Sequence, residues 1–199
     1  MKGKALGWLL YLPLLLLFTM LLLVISASDS QVNAVVIVLQ LAFVTLSILW
    51  AIYLFYDLFG TGNFSYLWLY YRGRFGGMIL LYQTILSVPL LLIMLIMEIK
   101  FQSHLNFVAT FLFIISQLFI AGVITIFILA VLGDLDWVIT LFFLYISIEL
   151  ATFGENGYLY SLLYLNLEHG VGYITLLNLG TVHFLLGLIT YKCLKVLLD

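Results

Sequence analysis

Apolar residues in this chain run in long unbroken blocks rather than in stripes. Six blocks stand out: Leu6–Ser26, Ala34–Tyr56, Met78–Met97, Phe107–Leu132, Trp137–Phe153 and Thr175–Leu194. Each is near the ~20 residues an α-helix needs to cross a hydrocarbon core about 30 Å thick. Continuous apolarity argues against strands, because a membrane barrel alternates apolar and polar positions over about ten residues. The pattern predicts an all-α polytopic membrane protein with six transmembrane helices. The fifth block is the shortest and holds Glu149, so it is the weakest of the six. The first follows Lys2 and Lys4, as in a signal peptide. Its apolar run, Ala5–Ile25, is longer than the usual 7–15 residues or so of such a segment, and we take it as a retained span.

The few cations set an orientation. Lys2 and Lys4 precede the first span, Arg72 and Arg74 lie between the second and third, and Lys192 and Lys195 end the sixth. Only Lys100, beside Glu98, falls on the other side. Cytoplasmic loops carry the Lys/Arg excess, so both termini are expected in the cytoplasm. A missed or extra helix would scramble this split, which makes it a check on the number of spans. Ala27–Asn33 and Gly133–Asp136 leave room only for tight connections. No repeat or linker interrupts the 199 residues, which are expected to form one transmembrane domain.

Composition narrows the function. The chain is 66% hydrophobic and 8% charged, whereas a soluble domain carries roughly 25% charged residues. Loops and tails are too short for an attached soluble enzyme or nucleotide-binding domain. Seven Lys+Arg and a net charge of -2 exclude a nucleic-acid-binding surface. The single cysteine, Cys193, has no disulfide partner in the chain and is expected to be a buried, inert thiol near a span end.

Two connecting segments are more than links. Asp57–Gly77 opens with Gly60 and Gly62 and closes with Gly73, Gly76 and Gly77 around two arginines. Between them Phe64, Leu67, Trp68 and Tyr71 recur at i, i+3, i+4 and i+7, one stripe of a helix. Asn63 or Ser65 would cap a short interfacial helix there. It reads either as an aromatic belt with arginines facing anionic lipid or as a docking helix for a cytoplasmic partner. The outer segment Gly154–Ile174 is too polar to cross and too apolar to be a free loop. It reads as a re-entrant hairpin or as an amphipathic helix lying on the membrane.

Candidate chemistry inside the spans is sparse. A charge at mid-bilayer costs about 2.5–3.5 kcal/mol, so Glu149 is expected to face a pathway or protein, or else to lie near the surface, five residues before Gly154. His183, flanked by Thr181 and Gly180, reads as a packing histidine or as a pathway residue. Zinc needs three or four convergent ligands, and Glu149, Glu168, His169 and His183 would meet only through folding; no metal site is expected. Ser87 and Ser116 lie in plain apolar runs without a nucleophile motif, so no catalytic residue is assigned. Pro13 and Pro89 fall inside spans, where each can kink a helix. Asp134-Leu135-Asp136 forms an acidic turn, either solvated, paired with Arg72 and Arg74, or facing a basic partner surface.

No phosphate-binding Gly-x-x-x-x-Gly-Lys-[Ser/Thr] loop occurs, so the chain does not itself bind ATP in that way. Its layout nevertheless resembles the permease subunits of ABC exporters of the ABC-2 type. The resemblance lies in six spans, both ends inside, a short helix between spans two and three, and a Gly-rich outer hairpin before the last span. In particular, Phe59-Gly60 through Tyr70-Tyr71-Arg72-Gly73-Arg74, leading into Met78-Ile79-Leu80, looks like a coupling helix followed by an Arg-rich turn. The small size resembles bacterial permeases of bacteriocin or antimicrobial-peptide export and immunity. The tail Met1–Ala5 departs from the pattern, being too short for the amphipathic helix many such permeases place before span one.

The resemblance implies a bacterial plasma-membrane subunit that pairs with a second permease chain, the same or different. A cytoplasmic ATPase holding ATP and magnesium would dock on Phe64, Leu67, Trp68, Tyr71, Arg72 and Arg74. The substrate would be a hydrophobic or amphipathic peptide moving through a lipid-flanked pathway near Glu149 and His183. Two alternatives come from other classes: a non-catalytic immunity protein that sequesters a peptide, and an intramembrane enzyme using Glu149 with His169 or His183.

Overall fold

The computed structural model describes residues 3–59, 72–101, 106–151 and 173–198. The chain there forms α1 (Gly3–Ser26), α2 (Val32–Phe59), α3 (Phe75–Phe101), α4 (Phe107–Leu132), α5 (Leu135–Ala151) and α6 (Tyr173–Leu198), with 3-10 turns at Asp29–Gln31 and Arg72–Arg74. No strand occurs among the described residues. Each predicted apolar block lies on one of these helices as far as the described residues reach, the fifth to Ala151. Asp29–Tyr56, Phe75–Phe101, Phe107–Leu132 and Ile174–Leu198 are long and apolar enough to cross a membrane, while Leu14–Ser26 and Leu135–Ile148 are shorter apolar segments. Residues 60–71 and 152–172 lie outside the described residues, and with them the expected coupling helix and nearly all of the outer hairpin.

The central element is α4. It packs most extensively against α6 and then α2, and also touches α3 and α5. Two-thirds of the most apolar stretch of α2 and of α4 is buried, against a third or less in α3 and α6. The outer helices turn Leu80, Leu81, Ile85 and Val88 of α3, and Leu185, Ile189 and Val196 of α6, away from the protein. In water such a surface would be untenable; in lipid it is the expected exterior.

Glycine makes the α4–α6 contact possible. A Cβ at Gly180 would lie 3.5 Å from the Cα of Phe113, and one at Gly187 would meet the Phe119 ring at 2.6 Å. The first shows two helix backbones in close approach; the second shows a ring filling the space of a missing side chain. Because Gly180 lies beside Phe113 and Gly187 beside Ile120, the two helices run parallel. Small residues serve this purpose in lipid, where helix association depends on close packing rather than on hydrophobic burial.

The connections are built from local chemistry. Gly133 ends α4 in the left-handed conformation, φ 64°, and its N–H donates to Leu129 O at 2.9 Å. Only glycine adopts that backbone at no steric cost. Asp134 Oδ1 then accepts from the Asp136 N–H at 2.9 Å, so the first carboxylate of the acidic turn caps α5. Between α1 and α2 the Ser28 N–H donates to Gln31 Oε1 at 3.0 Å.

Lys100 closes the same end of the bundle. Its Nζ donates to the carbonyls of Val24, Ile25 and Ala27 at 2.7, 2.8 and 2.6 Å. The last carbonyls of a helix have no intrahelical donor, and they carry the negative end of the helix dipole. One ammonium at the end of α3 thus satisfies three acceptors at the end of α1, with all three of its protons used. Lys100→Met should cost roughly 1–2 kcal/mol, the range for partly solvated charge-assisted bonds. Hydrogen exchange should rise in the last turn of α1 and around Ala27, while the centre of α4 stays protected.

Candidate functional site

Polar side chains inside apolar helices are where chemistry or specificity must reside. Gln40, Ser47, Thr110, Ser116, Gln117, Thr125 and His183 are buried. Some of these satisfy themselves locally. Ser116 Oγ donates to Phe113 O at 2.6 Å and Thr125 Oγ1 to Ala121 O at 2.6 Å; Ser87 Oγ, half-buried, likewise donates to Gln83 O at 2.8 Å. Such back-bonds to the preceding turn leave no activated nucleophile.

Other polar side chains among the described residues reach from one helix to the next. The densest of these connections joins α2, α3 and α4: Ser47 Oγ donates to Leu118 O at 2.9 Å, the Tyr82 hydroxyl donates to Ser47 O at 2.6 Å, and the two side-chain oxygens touch. Tyr82 reaches this point only because position 122 has no side chain. A Cβ at Gly122 would lie 2.7 Å from the Tyr82 hydroxyl and 2.8 Å from its ring. The second connection runs from Gln83 Nε2 to Ile115 O at 3.3 Å.

The third is the Gln40–Gln117 pair. Gln40 Nε2 donates to Gln117 Oε1 at 2.7 Å, and both residues are fully buried. Gln40 Oε1 and Gln117 Nε2 are left without a hydrogen-bond partner. An interhelical bond in lipid is worth about 0.6 kcal/mol on average. A buried, unmet polar atom costs about 1–3 kcal/mol, and this pair has two. Taken alone, the pair costs more than it stabilises, so stability does not explain its presence.

The residues expected from sequence are distributed as follows. Phe64, Leu67, Trp68 and Tyr71 lie outside the described residues. Arg72 and Arg74 bound the 3-10 turn that leads into α3, and Arg74 is exposed. Glu149 falls in the last turn of α5, at the helix end rather than its middle. His183 is buried on the α4 side of α6, its ring stacked 5.7 Å from that of Phe113 at an interplanar angle of 27°. Among the described residues, no three His, Cys, Asp or Glu side chains converge as metal ligands would. Cys193 corrects an expectation: it is exposed, not buried. The buried positions of α6 include Leu176, Gly180, His183, Gly187 and Leu194, and one residue before Leu194 the helix has turned about 100° away from that seam.

The polar seam was missed because no motif marks it. Gln40, Ser47, Tyr82 and Gln117 come from three separate blocks, and the available signal was simply a carboxamide or hydroxyl inside an apolar run. No family model, curated protein or solved structure matches the chain.

Two outcomes follow from this geometry. Gln40→Leu or Gln117→Leu alone breaks the bond and leaves two unmet atoms on the remaining amide, as many as before, and should cost about 0.6 kcal/mol in unfolding from lipid–detergent micelles. The double Gln40→Leu/Gln117→Leu variant removes both unmet atoms and should be more stable than the wild type by the same measurement. Gly122→Val drives a side chain into the Tyr82 ring and should destabilise by about 1–3 kcal/mol. Gly77→Ala, where nothing lies within 4 Å of the added carbon, should be neutral or slightly stabilising by the same measurement.

Proposed function

We propose that this chain is a six-span permease subunit of an ATP-driven ABC exporter of the ABC-2 type, with both termini cytoplasmic. It contributes the pathway for a hydrophobic or amphipathic peptide and leaves ATP hydrolysis to a separate cytoplasmic subunit. The observation that carries this reading is the placement of the roots of segment 60–71. Phe55 near the end of α2 meets Phe75 at the start of α3 edge-to-face, ring centroids 5.6 Å apart. A Cβ at Gly76 would lie 3.1 Å from the Tyr191 hydroxyl of α6. The segment therefore leaves and rejoins the bundle at the end that also carries Lys192 and Lys195, while Lys100 lies at the end of α3, bound to α1.

That arrangement fits a coupling element. Its two roots are clamped by buried Phe55 and Phe75, so a push on the segment would move α2 and α3 together. The Ser47–Tyr82–Leu118 bonds then link both helices to α4. Rigid elements joined in this way can switch between two packings. Trp68 and Tyr71 would meet the ATPase, Arg72 and Arg74 would hold the turn at the lipid surface or pair with acidic ATPase residues, and Glu149 and His183 would be the weakest of the pathway assignments. A second permease chain completes the transporter.

The test is to isolate the chain gently from its native membrane and identify what accompanies it. A stoichiometric P-loop ATPase should accompany the wild type and be lost, at least tenfold, from Trp68→Ala/Arg72→Ala. Absence of any ATPase from the intact wild-type complex would sink the proposal and favour a peptide-sequestering immunity protein.

A further inference from the structure

We infer that the furrow between α3 and α6, at the end of the bundle that carries Lys192 and Lys195, holds one molecule of anionic phospholipid. The inference rests on the shape and charge of that furrow and stands whether or not the chain is a permease. The floor is Phe119 of α4. Gly122 of α4 receives the Tyr82 ring of α3, and Ile120 lies against Gly187 of α6. At about 100° per residue, Phe119 falls between those two contacts. It is half-buried there, its ring 5.3 Å from that of Phe184. The furrow narrows where α3 begins, because the Tyr191 hydroxyl stands 3.1 Å from the place of a Cβ on Gly76.

On the flank of α6 that faces α3, Phe184, Leu188, Tyr191 and Lys195 recur at i, i+4, i+7 and i+11, one stripe of a helix. Phe184 and Leu188 are exposed, Tyr191 is half-buried, and Lys195 is exposed one turn beyond it. The stripe therefore passes from apolar surface to a hydroxyl to an ammonium. A phospholipid presents the matching parts in the same order: acyl chain, ester and phosphate. On the α3 side Leu80, one turn deeper than Gly76, is exposed, and so is Arg74 in the turn before it. Neither Lys192 nor Lys195 has a hydrogen bond or ion pair with a described residue. Asp134 and Asp136, acids of the same end, belong instead to the turn that abuts Phe59 of α2. A soluble acidic partner would meet only the cations, and a neutral lipid only the apolar stripe. An anionic phospholipid meets both, and basic residues at a membrane surface attract it.

The test is native mass spectrometry of the full chain in an uncharged detergent, supplied with phosphatidylglycerol and phosphatidylcholine of identical acyl chains. Phosphatidylglycerol should be retained in preference, one molecule per chain, and inorganic phosphate should not displace it. Lys195→Gln should weaken that preference about fivefold, the effect of one basic residue near an anionic lipid. A lysine in the last turn also offsets the helix dipole, and a second variant keeps that role. Lys195→Gln/Leu197→Lys moves the ammonium about 200° round α6 at unchanged net charge, and it should not restore the preference. Equal retention of the two lipids by the wild type would overturn the inference and leave the cations to a soluble acidic partner. Displacement by inorganic phosphate would overturn it in favour of the free ion. A preference unmoved by Lys195→Gln, or restored by the relocated lysine, would overturn it too, since charge anywhere at that end would then suffice.

Discussion

The bonds among Ser47, Tyr82 and the Leu118 carbonyl are the joint on which the arrangement of α2, α3 and α4 depends. In lipid, burying another leucine against a neighbouring helix gains little, because the acyl chains it leaves are equally apolar. Position must therefore be fixed by close contact and by a few polar bonds. Here one hydroxyl from α2 reaches a backbone carbonyl of α4, and one from α3 reaches a carbonyl of α2. Each bond fixes register as well as distance, since a shift of one residue in any helix would bury an unmet hydroxyl. Gly122 is the steric condition for the joint, because any side chain there would occupy the place of the Tyr82 ring.

The rest of the bundle is arranged around α4 by a different means. Its contact with α6 is held by shape, through Gly180 and Gly187, with His183 stacked on Phe113 between them. Its junction with α5 is fixed by a left-handed glycine and an aspartate cap. At the opposite end of the bundle, Lys100 ties α3 to α1 through carbonyls that no backbone donor can reach. The four joints use four kinds of chemistry, and each answers a local shortage of space or of hydrogen-bond partners.

That difference explains which parts of the structure were legible in the sequence. Apolar length is a property of consecutive residues, so the described parts of the blocks that predict helices, from Leu6–Ser26 to Thr175–Leu194, each fall on a helix. Gly133 and Asp134 read from sequence as part of a tight acidic turn, whereas the cap role of Asp134 depends on where α5 begins. Lys100 stood out only as the cation on the wrong side; its role depends on the end of α1, more than seventy residues away in the chain. The seam is invisible for the same reason, because Ser47 and Tyr82 have meaning only as a pair. Cys193 departs from its expectation because the side of the helix it occupies, rather than its depth along α6, decides its exposure.

The two polar joints between α2 and α4 are unlike in a way that bears on motion. At Ser47 every hydroxyl proton has a backbone acceptor, so separating the helices there would break charge-neutral bonds and leave nothing in exchange. At Gln40, two turns nearer the N-terminal end of α2, only two of the pair's four polar atoms are engaged within the protein. Parting the helices at Gln40 gives up one bond and exposes two atoms that already lack a partner, so separation costs less there than at Ser47. The stiff joint lies nearer the clamped roots of segment 60–71, and the yielding joint lies beyond it. If α2 is driven from its Phe55 end, as the proposed permease requires, Ser47 acts as the pivot and the seam opens at Gln40–Gln117. The polar pair that makes poor sense as a stabilising contact makes physical sense as the place where a tight apolar bundle is able to give.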